Sequence, residues 1–114
     1  MHWFQKGTNG IQIPPFTCGY GLKIYHWGFI IVNSKARLGN NCVIYPGVIV
    51  GRKDDGGVPT IGNNCFIGGG VKIFGAIHIG DNCTIAANSV VTKDFPDNCI
   101  IGGVPARIIK YKEI

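Results

Sequence analysis

From Leu38 onward the chain sets an aliphatic residue at every sixth place. Cut into sixes, it reads LGNNCV, IYPGVI and VG, is interrupted, and resumes as IGNNCF, IGGGVK, IFGAIH, IGDNCT, IAANSV and VTKDFP. The first place holds Leu38, Ile44, Val50, Ile61, Ile67, Ile73, Ile79, Ile85 and Val91. The fifth is mostly small or β-branched: Cys42, Val48, Cys65, Val71, Ile77, Cys83 and Ser89. Upstream the same frame covers CGYGLK, IYHWGF and, after two extra residues, VNSKAR. Such a period fits neither a heptad nor one face of a helix. It predicts a coil of short strands joined by turns, each coil burying its aliphatics on the next.

A second period gives the length of the coil. Asn63-Asn64-Cys65 and Asp81-Asn82-Cys83 lie 18 residues apart, three hexads, and Asn40-Asn41-Cys42 lies 23 before Cys65, which is 18 plus a five-residue insertion. Asn and Asp tolerate left-handed backbone and bond to it locally, so this pair belongs at one corner of each coil. Cys42, Cys65 and Cys83 then stack as core thiols, about 4.8 Å apart at sheet spacing. The predicted organisation is a leader (1–17), about four coils (18–96) and a tail (97–114) that packs back along them. Gly56, Gly57 and Pro59 mark 51–60 as a loop bulging from one coil. Pro96 and Pro105 break the repeat.

Composition narrows the picture further. The chain has 114 residues, with 18 Ile and 9 Val against 2 Leu and 5 Ala, which excludes a mainly helical fold. No apolar run approaches the roughly 20 residues of a membrane span, and MHWFQKG lacks the apolar stretch of a signal peptide. A cytoplasmic protein is the expectation. The net charge of +5 suits an anionic ligand. No basic stripe interleaved with aromatics speaks for nucleic acid. Five cysteines without a CxxC pair give neither a disulfide scaffold nor a zinc ribbon.

Hexads of this form resemble the hexapeptide-repeat acyltransferases, which implies an all-β, left-handed parallel β-helix. The hand comes from this resemblance, not from the period. The ending NSVVTKDFPDNCIIGGVPARIIK (88–110) resembles the terminal coil and tail of that family's acetyl-CoA users. The stretch GLKIYHWGFIIVN…GVIVG…GVPTIGNNCFIGGGVKIFG is similar to the serine acetyltransferases and to relatives that acetylate sugars. The implied activity is O-acetylation of a hydroxyl by acetyl-CoA, without a metal.

That reaction needs a base for the hydroxyl proton, donors for the oxyanion and a groove for a long anionic co-substrate. Histidine suits the base because it titrates near neutrality. His2 lies in the leader, and His78 points outward by alternation. His26, at a turn position in IYHWGF, matches the family's catalytic histidine. By family position Gly51, Gly69, Gly70 and Ala87 would let the pantetheine arm lie against the backbone. The competing reading is that the glycines serve coil turns only. Pro105 and Ala106 match the segment near the adenine, and Arg107, Lys110 and Lys53 are candidates for the phosphates.

Three positions depart from the serine acetyltransferase pattern. Tyr25 stands where an acidic residue precedes the histidine, Val58 where a second histidine precedes Pro59, and Ile11 where an aspartate orients the base. An amino-acid acceptor needs charged partners, whereas Tyr25 and Trp27 offer aromatic faces of the kind that pack on sugar rings. The favoured acceptor is therefore a sugar hydroxyl, with L-serine second and a degenerate CoA-binding or structural trimer third. A homotrimer with sites between subunits is what the family implies. The trimeric zinc anhydrases of this fold need three convergent histidines, and the nearest pair here, His2 and His26, is 24 residues apart.

Overall fold

The computed structural model describes residues 10–26 and 28–113; residues 1–9, Trp27 and Ile114 lie outside the described residues, and with them His2 and one of the two aromatics assigned to the acceptor. The described residues form strands and no helix. In chain order these are β1 (Ile11–Gln12), β2 (Lys23–Ile24), β3 (Ile30–Val32), β4 (Arg37–Leu38), β5 (Val43–Ile44), β6 (Ile49–Gly51) and β7 (Thr60–Ile61), then β8 (Phe66–Ile67), β9 (Lys72–Phe74), β10 (His78–Ile79), β11 (Thr84–Ile85), β12 (Val90–Val91), β13 (Cys99–Gly103) and β14 (Ala106–Tyr111). They stack in three faces. The first holds β1, β3, β6, β9 and β12, the second β4, β7 and β10, the third β2, β5, β8, β11, β13 and β14. Single bridges from Cys18 to Leu38 and from Ile79 to Phe95 lengthen the second face at both ends. The architecture is a left-handed parallel β-helix of about five turns, where the hexads mark about four.

The first-place aliphatics from Leu38 to Val91 are all buried, as is every fifth-place residue except the half-buried Ile77. Eight isoleucines are essentially inaccessible: Ile30, Ile44, Ile61, Ile67, Ile73, Ile79, Ile85 and Ile101. Each such side chain contributes about 1.5–3 kcal/mol on burial, against about 0.5–1.5 kcal/mol net for a hydrogen bond. Strands of two or three residues are therefore held by the column of side chains inside them. Cys42, Cys65 and Cys83 stack in that column and Cys99 joins them; these four and Cys18 are free thiols. Burial raises the Cys18 thiol to about 11 and also pushes up Cys99. Pairing with Cys42, and then burial, pushes up Cys65.

The winding runs past both ends of 18–96. Ile11 pairs in parallel with Ile30, and Ile100 and Ile101 with Thr84 and Ile85. Only β14 turns back, antiparallel to β13, through the cis Val104–Pro105 bond. The repeat looks broken after Asp94 because the last coil is short there. Val91 pairs with Ile73 at the full spacing of 18, but Phe95 pairs with Ile79 only 16 residues back. The five-residue insertion lies in 51–60, since Arg37 meets Thr60 at 23 residues while Val32 meets Val50 at 18.

The Asn corner, between the second and third faces, repeats as the Asn/Asp pairs predict. Gly21, Asn41, Asn64, Asn82 and Asn98 all have positive φ, from 58° to 77°. Beside them runs a ladder between coils. Asn40 Oδ1 accepts from Tyr20 N at 3.0 Å, Asn63 Oδ1 from Asn40 N at 2.8 Å, Asp81 Oδ1 from Asn63 N at 2.8 Å, and Asp97 Oδ1 from Asp81 N at 2.7 Å. These side chains satisfy backbone donors that the turns leave without strand partners.

Candidate functional site

His26 stands at the corner between the third and first faces. One coil later this corner is the tight turn Tyr45-Pro46-Gly47, from Ile44 to the buried Val48. Ile24 pairs with Ile44 and Ile31 with Ile49, so the His26 turn holds two residues more than the turn below it. The extra residues therefore lie inside the turn, not after the hexad IYHWGF. Ile30, not Gly28, takes the inward place that Val48 takes below. The enlarged turn lifts His26 out of the frame and leaves it exposed.

The imidazole lies against the ring of Tyr45, with centroids 5.5 Å apart and planes tilted by 47°. Tyr25, 55% exposed, meets the same ring at 5.9 Å. Tyr45 rests in turn on Phe66 at 5.3 Å. Tyr45 was missed in the sequence, although it fills in IYPGVI the place Tyr25 fills in IYHWGF.

Gly69, Gly70 and Ala87 lie at this same corner in the following coils. Gly70 N donates to Pro46 O at 2.9 Å and Asn88 N to Gly69 O at 2.8 Å. Gly70 is explained by the fold: its φ is 74° and a Cβ there would run into Asn88 Oδ1. Gly69 is different. Its φ is not positive, and a Cβ there would come no nearer than 3.4 Å to Pro46 O. The fold does not require glycine at 69. Ala87 is exposed and small. Lys72 clamps the corner, its Nζ donating to Gly70 O at 2.7 Å and Gly47 O at 3.0 Å. A lysine at the outward sixth place reads as surface, so no sequence signal marked it.

The other candidates are elsewhere in the chain. Gly51 and Lys53 lie across the first face, at the corner that carries the loop. A Cβ at Gly51 would strike the Phe74 ring at 2.6 Å, which accounts for that glycine by packing. The loop is closed by Lys53 N donating to Gly57 O at 2.9 Å and Gly57 N to Asp55 Oδ1 at 2.8 Å. Pro105, Ala106 and Arg107 line a hollow of about 340 Å³ with Thr92 and Lys93. Lys110 is exposed on β14, opposite Ile100. Ser89 stitches the tail to the coil: its hydroxyl donates to Ala86 O at 2.6 Å and accepts from Gly103 N at 3.2 Å. His78 is exposed, as alternation predicts. Among the described residues no group of three or more His, Cys, Asp or Glu is placed to hold a metal ion, and no helix is long and apolar enough to cross a membrane.

The repeat has counterparts in known proteins. Residues 60–93 match the family described as hexapeptide repeat of succinyl-transferase. Over 105 residues the chain is 38% identical to a serine acetyltransferase of Synechococcus elongatus, an alignment that covers 89% of this chain and 43% of that one. The chain belongs to the hexapeptide-repeat acetyltransferase family. Among its solved members, the Neisseria gonorrhoeae serine acetyltransferase in complex with serine superposes with a TM-score of 0.82 at 39% identity, covering 89% of this chain and 43% of that one. The Brucella abortus serine acetyltransferase in complex with coenzyme A gives 0.80 at 36% identity, covering 85% and 41%. The chain thus spans less than half the length of these hexapeptide-repeat relatives.

Proposed function

We propose that this chain transfers the acetyl group of acetyl-CoA to a hydroxyl oxygen, with His26 as general base and L-serine as the acceptor. The observation that carries the reading is the pairing, at one corner, of an exposed histidine on an enlarged turn with a glycine the fold does not need. The relatives reported above are serine acetyltransferases, and one was crystallised with serine. They shift the first choice of acceptor from the sugar favoured by Tyr25 and Trp27 to serine.

Acetyl-CoA supplies a thioester carbonyl. Gly69 and Ala87 leave room for its pantetheine arm, and the basic hollow at Arg107 and Lys93 suits its phosphates. A ring nitrogen of His26 takes the proton of the acceptor hydroxyl as its oxygen bonds to the carbonyl carbon. The C–S bond then breaks, and the imidazolium returns the proton to the departing sulfur, leaving the acetyl ester and free CoA. Tyr25 and Val58 place no charge for the ammonium and carboxylate of serine, so this reading implies a high KM for serine. The exposed Tyr25 ring beside His26 favours a carbohydrate hydroxyl as the second reading.

A homotrimer is part of the proposal. The outward row of the first face is Gln12, Ile31, Ile49, Lys72 and Val90 and that of the third Lys23, Val43, Phe66, Thr84 and Ile100, whereas the second presents Arg37, Thr60 and His78. Three of the five outward residues on the first and on the third face are apolar and none of the three on the second, which suits burial of those two sides of the prism against copies of itself. Five free thiols suit the cytoplasm. The test is acetyl-CoA binding by calorimetry, followed by thiol release with L-serine and with a panel of sugars. Turnover on serine supports the reading, turnover on a sugar alone moves the acceptor to the second reading, and no binding of acetyl-CoA overturns both.

A further inference from the structure

We infer that Tyr45 is the positioning residue of the His26 imidazole, in a role that catalytic histidines usually give to a carboxylate. The inference rests on His26 being the base. A base works only when its ring is held within hydrogen-bond reach of the proton it removes, and a misplacement of about 1 Å can cost 10²-fold. The chain has six acidic residues, and they lie elsewhere. Asp81 and Asp97 belong to the Asn corner ladder, Asp94 Oδ1 accepts from His78 N at 2.8 Å, and Asp55 closes the loop that Asp54 shares. Glu113 lies beyond β14. Ile11, where the family pattern has its orienting aspartate, is half-buried against the core.

What the corner does offer is a column of rings. Phe66 sits on β8, whose backbone pairs with β5 and β11 on either side. Tyr45 rests on Phe66, and its N–H donates to Ile67 O at 3.1 Å, so both ends of this residue are fixed. His26, on a turn longer than those beneath it, lies at 5.5 Å on top of the column. Tilted ring pairs at this distance are attractive beyond the area they bury. They restrict the imidazole's rotamers without drawing off either nitrogen, so both remain available to the proton transfer.

Tyr45→Phe keeps the ring and removes the hydroxyl; Tyr45→Leu, with Tyr45→Met in reserve if Leu unfolds the chain, removes the ring. The variants are read by kcat, by KM for acetyl-CoA, and by the NMR signals of the His26 ring protons, assigned with His26→Ala. The Phe variant should match the wild type. The Leu variant should lose about three- to tenfold in kcat at unchanged KM for acetyl-CoA. Its His26 signals should lose the ring-current displacement that Tyr45 imposes. Unchanged kcat and unchanged signals in Tyr45→Leu would overturn the inference, as would an equal loss in Tyr45→Phe, or a carboxylate from a second copy that keeps the Leu variant fully active. Should His26→Ala retain wild-type turnover, the base assignment fails by itself, and the NMR arm still reads the contact.

Discussion

The Asn corner and the His26 corner are made by the same winding and the same left-handed turn, yet their side chains follow opposite rules. At the Asn corner each coil repeats the one before: left-handed residue, side-chain oxygen and backbone donor recur with every turn. Nothing there is spare, since a Cβ on Gly62 would come within 2.8 Å of Asp81 N and Gly80 C. At the His26 corner the backbone also repeats, with positive φ at Gly47, Gly70 and Asn88 and the N–H of each donating to the coil before, but no two coils carry the same side chains. The turn above is enlarged, the next carries Tyr45 and Pro46, and the third opens at Gly69. Repeated side chains mark the corner that holds the fold; under the proposed function, their variation marks the corner that binds.

The comparison predicts that substitutions at the two corners separate stability from activity. The largest effect is expected for His26→Ala, which should lower kcat by about 10²–10⁴-fold and leave the thermal midpoint unchanged. Wild-type turnover would remove the histidine from the mechanism. At the Asn corner, Gly62→Ala should cost about 1–3 kcal/mol in denaturant unfolding, because backbone atoms of the next coil have to move. Turnover per folded molecule should stay the same. Gly69→Ala reverses that pattern: stability is held or slightly raised, while acetyl-CoA binds about tenfold more weakly by calorimetry. Equal behaviour of the two alanine variants would erase the distinction between the corners.

The smallest effect concerns Cys18, next to Gly19 at the head of the Asn corner. Its thiol sits at about 11 when folded, against 9.0 when free. The folded chain keeps this proton after the unfolded chain has lost it. The contribution is thus present below about pH 9 and is lost as pH rises toward 11, on the order of 1 kcal/mol for a partly exposed group. Urea midpoints measured across that range should fall less steeply for Cys18→Ala.

The winding, the Asn corner, the core thiols and the loop at 51–60 were all legible because a stacked coil forces the same requirement on every turn. The sequence hid its last coil for an equally physical reason. Two residues are missing between Val91 and Phe95, which shifts the frame, and Asp97-Asn98-Cys99 is read as tail although it repeats Asp81-Asn82-Cys83. The frame also slips at the His26 turn, where Ile30 replaces Gly28 as the inward residue. Tyr45 and Lys72 escaped notice because their roles depend on what lies one coil away, which a pattern along the chain does not display.

The strand β14 has a further effect on the molecule's surroundings. Every parallel strand of a solenoid ends in an edge on which an identical strand could continue, so such a prism is in principle the first segment of a fibre. By folding back antiparallel on β13, residues 106–111 occupy the outer edge of the third face, so an identical coil stacked there would meet an antiparallel strand and could not continue the parallel ladder. The same hairpin that borders the basic hollow thus works as a stopper, limiting end-to-end growth to one direction at most on that side of the prism.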